Sequence, residues 1–566
     1  VKQTLARLAA SLALYAVVSA AWSWPLILDP AHTVVSGFDT WGTLWLASAA
    51  DQLDGLGHTM AGGWPFGQDL GRADSLVLLW LLAALPGEIP AVIAISGLVL
   101  LGPICTALAA EKCAEAVLGA RWPWSIVAGL STAFLGIASA TYVDGQVYAL
   151  FNPWLPLLGW MWWRTTSPSG RWWHGVLAGL SWFLCLATTA YVGMAATVLI
   201  LAGAARLRPA TIRSAAVSLG AAAATALPLG VFYVAGFAGG DEMRGETSAW
   251  SSVDPLAVLS VGSTQVGTLA GWVHQLESEP HGVVAPLGFT VLALVGVAPL
   301  VLRDKAPGWR WWAALAAVGV ALSLGPTLRL EPNLKGGLPW LMKPLAVPQV
   351  TALFRFPSRF LWLGGLGLGV VAARCLTELA RRRPALAAPI VVACALECVL
   401  LTGTVWRTDP VRAVAPGAYA QTPADRAVLD LFPAVAGIPV DYELYQVDLS
   451  CAWAAQHRRP VAQRCLETNA DVDPRARVTA ALHDQLLNDH PDQTRAMLSE
   501  LGFGAVVWRP DAYVANERAA VRAGLTAALG APTATSQDGG EHLVVFQVPA
   551  STADPADAWA RWIEGG

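Results

Sequence analysis

Apolar runs of bilayer length recur through the first 405 residues, and that pattern leaves few folds open. The runs are Leu8–Leu28, Ile89–Ala110, Trp124–Thr141, Val147–Trp163, Trp172–Thr188, Thr189–Ala205, Ala215–Phe237, Val283–Leu302, Trp311–Leu324, Phe360–Leu379 and Ala385–Val405. A hydrocarbon core about 30 Å thick takes about 20 apolar residues as a helix. Within it a backbone must satisfy its own hydrogen bonds, which a helix does. The expectation is a mostly α, polytopic helical membrane protein with about 11 transmembrane helices. Charged residues make up 13% of the chain, about half the share in soluble proteins. The 27 Trp suit two membrane interfaces, where amphipathic indoles collect. A net charge of -4 gives no reason to expect a nucleic-acid partner. Leu8–Leu28 reads as a retained first helix, since it exceeds a typical signal-peptide core.

Charge sets the topology. Trp172–Ala205 is long enough for one helix or two short ones. If it is two, Arg206–Arg213, Arg303–Arg310 and Arg381–Arg383 share a side with Lys2 and Arg7. If it is one, all three basic loops fall on the opposite side, against the positive-inside rule. Two spans are therefore expected, turning near Thr188–Tyr191. The N-terminus is then cytoplasmic. Asp29–Asp74, Ser248–His281, Arg329–Arg355 and everything after Trp406 lie outside.

Two domains follow: residues 1–405 with a long first outer loop (29–88), and residues 406–566 as a small extracytoplasmic α/β unit. In that unit Ala424–Phe432, Val478–Leu487, Gln493–Leu501 and Glu517–Leu529 read as helices. Ile438–Val440, Ala505–Val507 and Leu543–Val548 read as strands. Cys451 and Cys465 are its cysteines, while the other six lie in or near spans. An oxidising compartment permits a disulfide between them. Spacing does not fix the Cα separation on which that bridge depends.

Several polar stretches stand out. SGFDTWGTLW (Ser36–Trp45) follows the first span and holds one acid, Asp39. Trp41–Gly55 fits an amphipathic interfacial helix. Asp51, Asp54, His58, Asp69, Arg72 and Asp74 follow in the same loop. Asp74 also reads as a helix cap, and Asp51 and Asp54 as a solvated face. TYVDGQVY places Asp144 and Gln146 outside, beside Tyr148, Asn152, Pro153 and Pro156 in a helix expected to be irregular. In LFRFPSRFLW, Arg355 and Arg359 share a face if the helix has begun. Paired guanidiniums at the mouth of a span suit phosphate oxygens, and they equally suit snorkelling to headgroups. QHRRP carries His457 between the exported cysteines. GGLGLG (Gly364–Gly369) lies inside an apolar span and reads as close helix packing, not a nucleotide loop. The chain has no H-E-x-x-H, P-loop or paired C-x-x-C motif.

In this order, SGFDTWGTLW, PFGQDLGRADSL, VDGQVYALFNPWLPL, LSLGPTLRL, LFRFPSRF and QHRRP resemble the GT-C superfamily of polytopic membrane glycosyltransferases. The likeness runs from Val35 to Pro460 and is nearest to bacterial members with a C-terminal exported domain. It implies an enzyme of the bacterial inner membrane that takes a sugar from a polyprenyl-phosphate donor. The acceptor would be an envelope glycan, lipid or protein. By resemblance Asp39 is the catalytic base. Arg355 and Arg359 would hold the lipid phosphate. Asp69, Asp144 and His457 are further substrate contacts. Many members carry two adjacent acids after the first span. Here Phe38 and Thr40 flank Asp39, so Asp74 is the expected second carboxylate. No cofactor is required by these motifs, and a divalent metal on Asp39 and Asp74 is compatible with them. Two other readings stand beside the enzyme. One is a non-catalytic scaffold or lipid-binding protein of envelope assembly. The other is a transporter, disfavoured because Glu111, Glu378 and Glu397 are the main acids in or near spans.

Overall fold

The structure is a computed structural model. It describes residues 2–35, 40–54, 58–59, 68–69, 81–82, 84, 90–143, 146–168, 170–207, 212–213, 215–217, 220–221, 224, 285–303, 306, 308–325, 327–328, 338–339, 357–400, 408–410, 426–431, 481–482, 484–486, 488, 490–510, 513, 515–538 and 541–565. The chain forms two compact units. The first takes in Val1–Gly37, Asp74–Val77 and Ser96–Asp409, and the second Phe38–Ala73, Leu78–Ile95 and Pro410–Gly566. The second unit thus includes most of the first long loop.

The first unit is a helical bundle. Its described helices are α1 (Lys2–Trp22), α2 (Ala91–Leu118), α3 (Ile126–Phe134), α4 (Ile137–Val143), α5 (Trp154–Thr165) and α6 (Trp172–Thr188). They continue with α7 (Ala190–Ala204), α8 (Phe289–Leu302), α9 (Trp309–Ser323), α10 (Leu361–Arg382) and α11 (Pro384–Leu400). Among the described residues, three helical stretches are long and apolar enough to cross a membrane unaided: Lys2–Trp22, Ala91–Leu118 and Pro357–Arg382. Large apolar side chains point outward from several helices, with Leu300 69%, Leu201 67% and Val17 66% exposed. Such a surface is stable against lipid and costly against water. This is a membrane protein. The expected span Ala215–Phe237 falls mostly outside the described residues.

Side-chain contacts fix which helix ends lie together. At one end the Trp122 indole donates to Ser11 (3.1 Å), and Arg7 stands 5.8 Å from the same ring. Arg374 donates to the Gly119 carbonyl (2.9 Å) and Arg382 to the Val301 carbonyl (3.1 Å). Arg206 lies 3.2 Å over the Trp163 ring, which packs against Trp311. At the other end Trp22 meets Phe134 and Tyr142 edge-on, and Ser19 donates to the Leu100 carbonyl. The pairs α1 and α2, α6 and α7, and α9 and α10 therefore run antiparallel. Arg7, Arg206 and Arg382 gather at one end, as the two-helix reading of Trp172–Ala205 requires. The break between α6 and α7 is at Thr189, whose backbone is extended and whose hydroxyl accepts the Val192 N–H (3.0 Å) as an N-cap.

Helix α10 runs through the middle, buried along nearly its whole length. GGLGLG explains how. A Cβ on Gly319 of α9 would lie 2.6 Å from the Gly364 nitrogen, and one on Gly367 would lie 2.8 Å from the Ala316 Cβ. Small residues let the helices approach this closely, where dispersion and not hydrophobicity holds them. On the α3 side Ser131 donates to the Gly365 carbonyl (3.4 Å). Glu397 of α11 caps α8, accepting from the Thr290 N–H (3.0 Å) and hydroxyl (2.8 Å). The expected single span Trp124–Thr141 is in fact α3 and α4. They are divided at Gly136, whose φ of +60° favours glycine and whose N–H goes to the Pro286 carbonyl. Strand β1 (Thr33–Val35), after α1, pairs with β2 (Thr408–Pro410), after α11. The chain leaving the first helix and the chain leaving the last described bundle helix share an end.

The second unit holds a four-stranded sheet of β3 (Ala427–Leu431), β4 (Phe503–Trp508), β5 (Ala534–Asp538) and β6 (Glu541–Gln547), in the order β5-β6-β4-β3. Only the β3–β4 pair is parallel. Helices α12 (Pro491–Glu500), α13 (Ala515–Leu529) and α14 (Pro555–Gly565) accompany it, and their apolar residues share a core with Leu429, Phe503 and Trp508. Two expectations fail here. Ala424–Phe432 does not form a helix, because Ala427–Leu431 is a strand. Its Val428 faces a different cluster from Ala427, Leu429 and Leu431, so pairing with β4 overrides the helical propensity of the stretch. Trp41–Gly55 is not an amphipathic interfacial helix either. A helix spans Thr40–Ser48, with Thr43, Leu44, Trp45 and Leu46 all buried, and the chain is already a strand by Leu53–Asp54. Burial on every side leaves no polar face for an interface.

Candidate functional site

Arg359 is the one proposed phosphate ligand whose side chain the structure describes. It sits in a single 3-10 turn, Pro357–Phe360, that leads into α10. Pro357 suits that start, since its fixed φ and missing N–H cost nothing in a first turn. Arg355 lies outside the described residues.

Arg359 is buried, with 5% of the residue exposed. Its Nη1 donates to the Thr141 hydroxyl (2.8 Å) and its Nη2 to the Gln146 side-chain carbonyl. Thr141 is in α4, and Gln146 follows it just before the 3-10 turn Val147–Leu150. Two of the polar stretches singled out in the sequence, VDGQVY and FPSRF, thus meet side chain to side chain. Two neutral oxygens orient the guanidinium, a planar fork of the kind that pairs with carboxylate or phosphate oxygens. Beside Thr141, the Tyr142 ring packs 4.5 Å from Trp22. The Tyr142 hydroxyl and the Trp22 indole N–H are both buried without a partner.

The chain after Gln146 is irregular, as its prolines predict, and its backbone needs outside partners. Thr106 of α2 supplies them, donating to the Leu150 carbonyl (2.9 Å) and accepting the Asn152 N–H (2.9 Å). Non-helical backbone at membrane depth survives only with such help. The Asn152 side chain is fully buried, and neither its oxygen nor its nitrogen has a partner. Thr106 and Thr141 were not legible as site residues. Thr106 is a lone threonine inside an apolar run, and Thr141, at the head of TYVDGQVY, drew no role of its own.

In the second unit, two-residue strands pair in the order Leu53–Asp54, His58–Thr59, Gln68–Asp69. His58 stands opposite Asp54 on one side and Asp69 on the other. Asp39, Asp74, Asp144, His457, Cys451 and Cys465 lie outside the described residues, so their expected roles stay expectations. Among the described residues no three His, Cys, Asp or Glu side chains converge to hold a metal ion.

No protein-family model and no curated protein matches the chain. Solved structures do. The arabinofuranosyltransferase AftD from mycobacteria is similar at 14% identity and a TM-score of 0.52, over 97% of this chain. The match spans only 40% of AftD's length. The Archaeoglobus fulgidus oligosaccharyltransferase in its apo form is similar at 11% identity and a TM-score of 0.50, over 89% of this chain and 70% of that one. The same archaeal enzyme tethered to an acceptor peptide gives 11% identity, a TM-score of 0.50, and coverage of 93% and 72%. At such identities the likeness is one of fold, and it bears out the resemblance on that level: the chain has the fold of the GT-C superfamily of membrane glycosyltransferases.

Proposed function

We propose that this chain is a membrane glycosyltransferase that moves a sugar from a polyprenyl-phosphate donor to an envelope glycan, lipid or protein. The observation that carries the reading is the Arg359–Thr141–Gln146 cluster. It joins two separate polar stretches at the bundle end where α1 finishes. The arginine-rich end faces the cytoplasm by the positive-inside rule, so the Arg359 end faces the outer side of the bacterial inner membrane, and the count of basic loops puts residues 406–566 outside as well.

The chemistry divides simply. Asp39 takes the proton of an acceptor hydroxyl as its oxygen attacks the anomeric carbon. The bond from that carbon to the lipid phosphate breaks, and the phosphate keeps the electron pair. Arg359, with Arg355, stabilises the charge that develops there, and a desolvated guanidinium does so more strongly than one in water. One base and one leaving phosphate give inversion at the anomeric carbon. Asp74 stands as second carboxylate, and Asp69, Asp144 and His457 as sugar or acceptor contacts. A divalent metal on Asp39 and Asp74 remains compatible, and none of these steps passes through it.

The isolated acid favours a second reading. Asp39 lacks an adjacent carboxylate, which suits a lipid-binding scaffold better than a catalyst. One experiment separates the two. Wild type and Asp39→Asn are reconstituted at matched levels and supplied with labelled polyprenyl-phosphate sugars. Transfer by wild type and its loss in the variant support the enzyme. Equal transfer by both removes Asp39 as base, and no transfer with retained lipid binding supports the scaffold.

A further inference from the structure

Far from the Arg359 cluster, at the other end of α10, three guanidiniums share one carboxylate. Glu378 lies 3.0 Å from Arg381, 3.8 Å from Arg382 and 3.9 Å from Arg374. Among the described residues none of the three arginines pairs with another acid, so the group carries an excess of two positive charges there. Arg374 is 8% exposed, and its Nε is buried without a partner. The Arg381 and Arg382 side chains are 43% and 45% exposed. Arg382 also reaches the Val301 carbonyl of α8, so the cluster bridges two helices.

We propose that this cluster binds an anionic phospholipid headgroup, and prefers one with two negative charges. Three arguments converge. Depth is the first. Arg359 and Arg381 are separated along α10 by about 33 Å at 1.5 Å per residue, so the cluster lies one bilayer away, at headgroup level. Trp122, Trp163, Trp309 and Trp311 mark the same end, as an interfacial belt does. Geometry is the second. Arginines that merely snorkel reach the interface singly. Here Glu378 gathers three heads into one place and fixes them before any ligand arrives. The third is charge. An excess of two positive charges between helices is complementary to a phosphate pair, and basic pockets of this kind recognise headgroups. This site is independent of the transfer chemistry above.

The test uses the full chain in nanodiscs that contain cardiolipin, phosphatidylglycerol or phosphatidylcholine, followed by native mass spectrometry. Wild type should retain one cardiolipin per chain, less phosphatidylglycerol, and no phosphatidylcholine. The double variant Arg381→Gln, Arg382→Gln should lose cardiolipin retention by tenfold or more. Thermal unfolding in phosphatidylcholine discs checks that each variant is folded, and Arg381→Lys, Arg382→Lys should keep at least half the retention. Equal retention of cardiolipin in wild type and the glutamine double variant overturns the proposal. So does equal retention of phosphatidylcholine. Release of the lipid by millimolar inorganic phosphate also overturns it, since the site would then recognise a free anion.

Discussion

The two ends of the helical bundle handle positive charge in opposite ways. At the arginine-rich end every contact described has an ordinary structural partner. Arg206 lies on the Trp163 ring, Arg374 holds the Gly119 carbonyl, and Glu378 collects Arg381 and Arg382. Glu111, fully buried, is met by the Tyr15 hydroxyl (2.9 Å) and by Lys112 (3.0 Å). Arg374, Glu378, Arg381 and Arg382 all sit on the helical backbone of α10. At the other end Arg359 is oriented by a hydroxyl and an amide, next to backbone that leaves the helix at Val147–Leu150. Regular helices can anchor charges, but they have few backbone groups to spare for a substrate. Irregular backbone has them, and it needs outside bonds such as those of Thr106 to persist. The difference separates charges gathered along one helix from an arginine set beside irregular backbone.

That contrast can be broken by mutation. Replacing Arg359 with Gln should lower transfer from a polyprenyl-phosphate sugar by about 100-fold, the usual scale for losing one stabiliser of developing charge. Arg359→Lys should recover only part of it, because a point charge lacks the fork. An intact rate in Arg359→Gln would end the comparison. Next in size is Gly367→Leu in the middle of the bundle. A Cβ alone would stand 2.8 Å from Ala316, and overpacking of this kind costs about 1–3 kcal/mol. Thermal unfolding in detergent should fall by several degrees. Thr141→Val should slow transfer by about tenfold, equivalent to one hydrogen bond to a charged group, with little change in melting temperature. The smallest effect belongs to the other end. Arg206→Gln removes a cation–π contact worth about 0.5–1 kcal/mol, so stability should drop slightly and transfer should not change. Transfer that fell as much for Arg206→Gln as for Thr141→Val would erase the distinction between the ends.

Much of the bundle was legible in the sequence, because a bilayer admits so few alternatives. The break at Thr189 followed from counting basic loops, and the packing role of GGLGLG from its apolar setting. What failed was local pattern without long-range context. The stretch Ala424–Phe432 is rich in helix formers, yet Ala427–Leu431 is a strand because β4 lies alongside it. Trp41–Gly55 looked amphipathic, but its helix is buried on all sides. The site was only half legible. Arg359 and Gln146 each stood out in polar stretches, but their bond joins residues 213 positions apart, and no periodicity announces such a pair. Thr106 looks like any small residue in a span until the backbone that it satisfies is seen, and Thr141 like the neutral end of TYVDGQVY until Arg359 is seen on it.

The central claim is that the Arg359 cluster holds a lipid phosphate. It is tested most directly by titrating polyprenyl phosphate into the reconstituted chain and comparing wild type, Arg359→Gln and Arg206→Gln. The account predicts affinity at least tenfold weaker for Arg359→Gln and unchanged for Arg206→Gln, with both variants folded. Equal affinity in wild type and Arg359→Gln would contradict it.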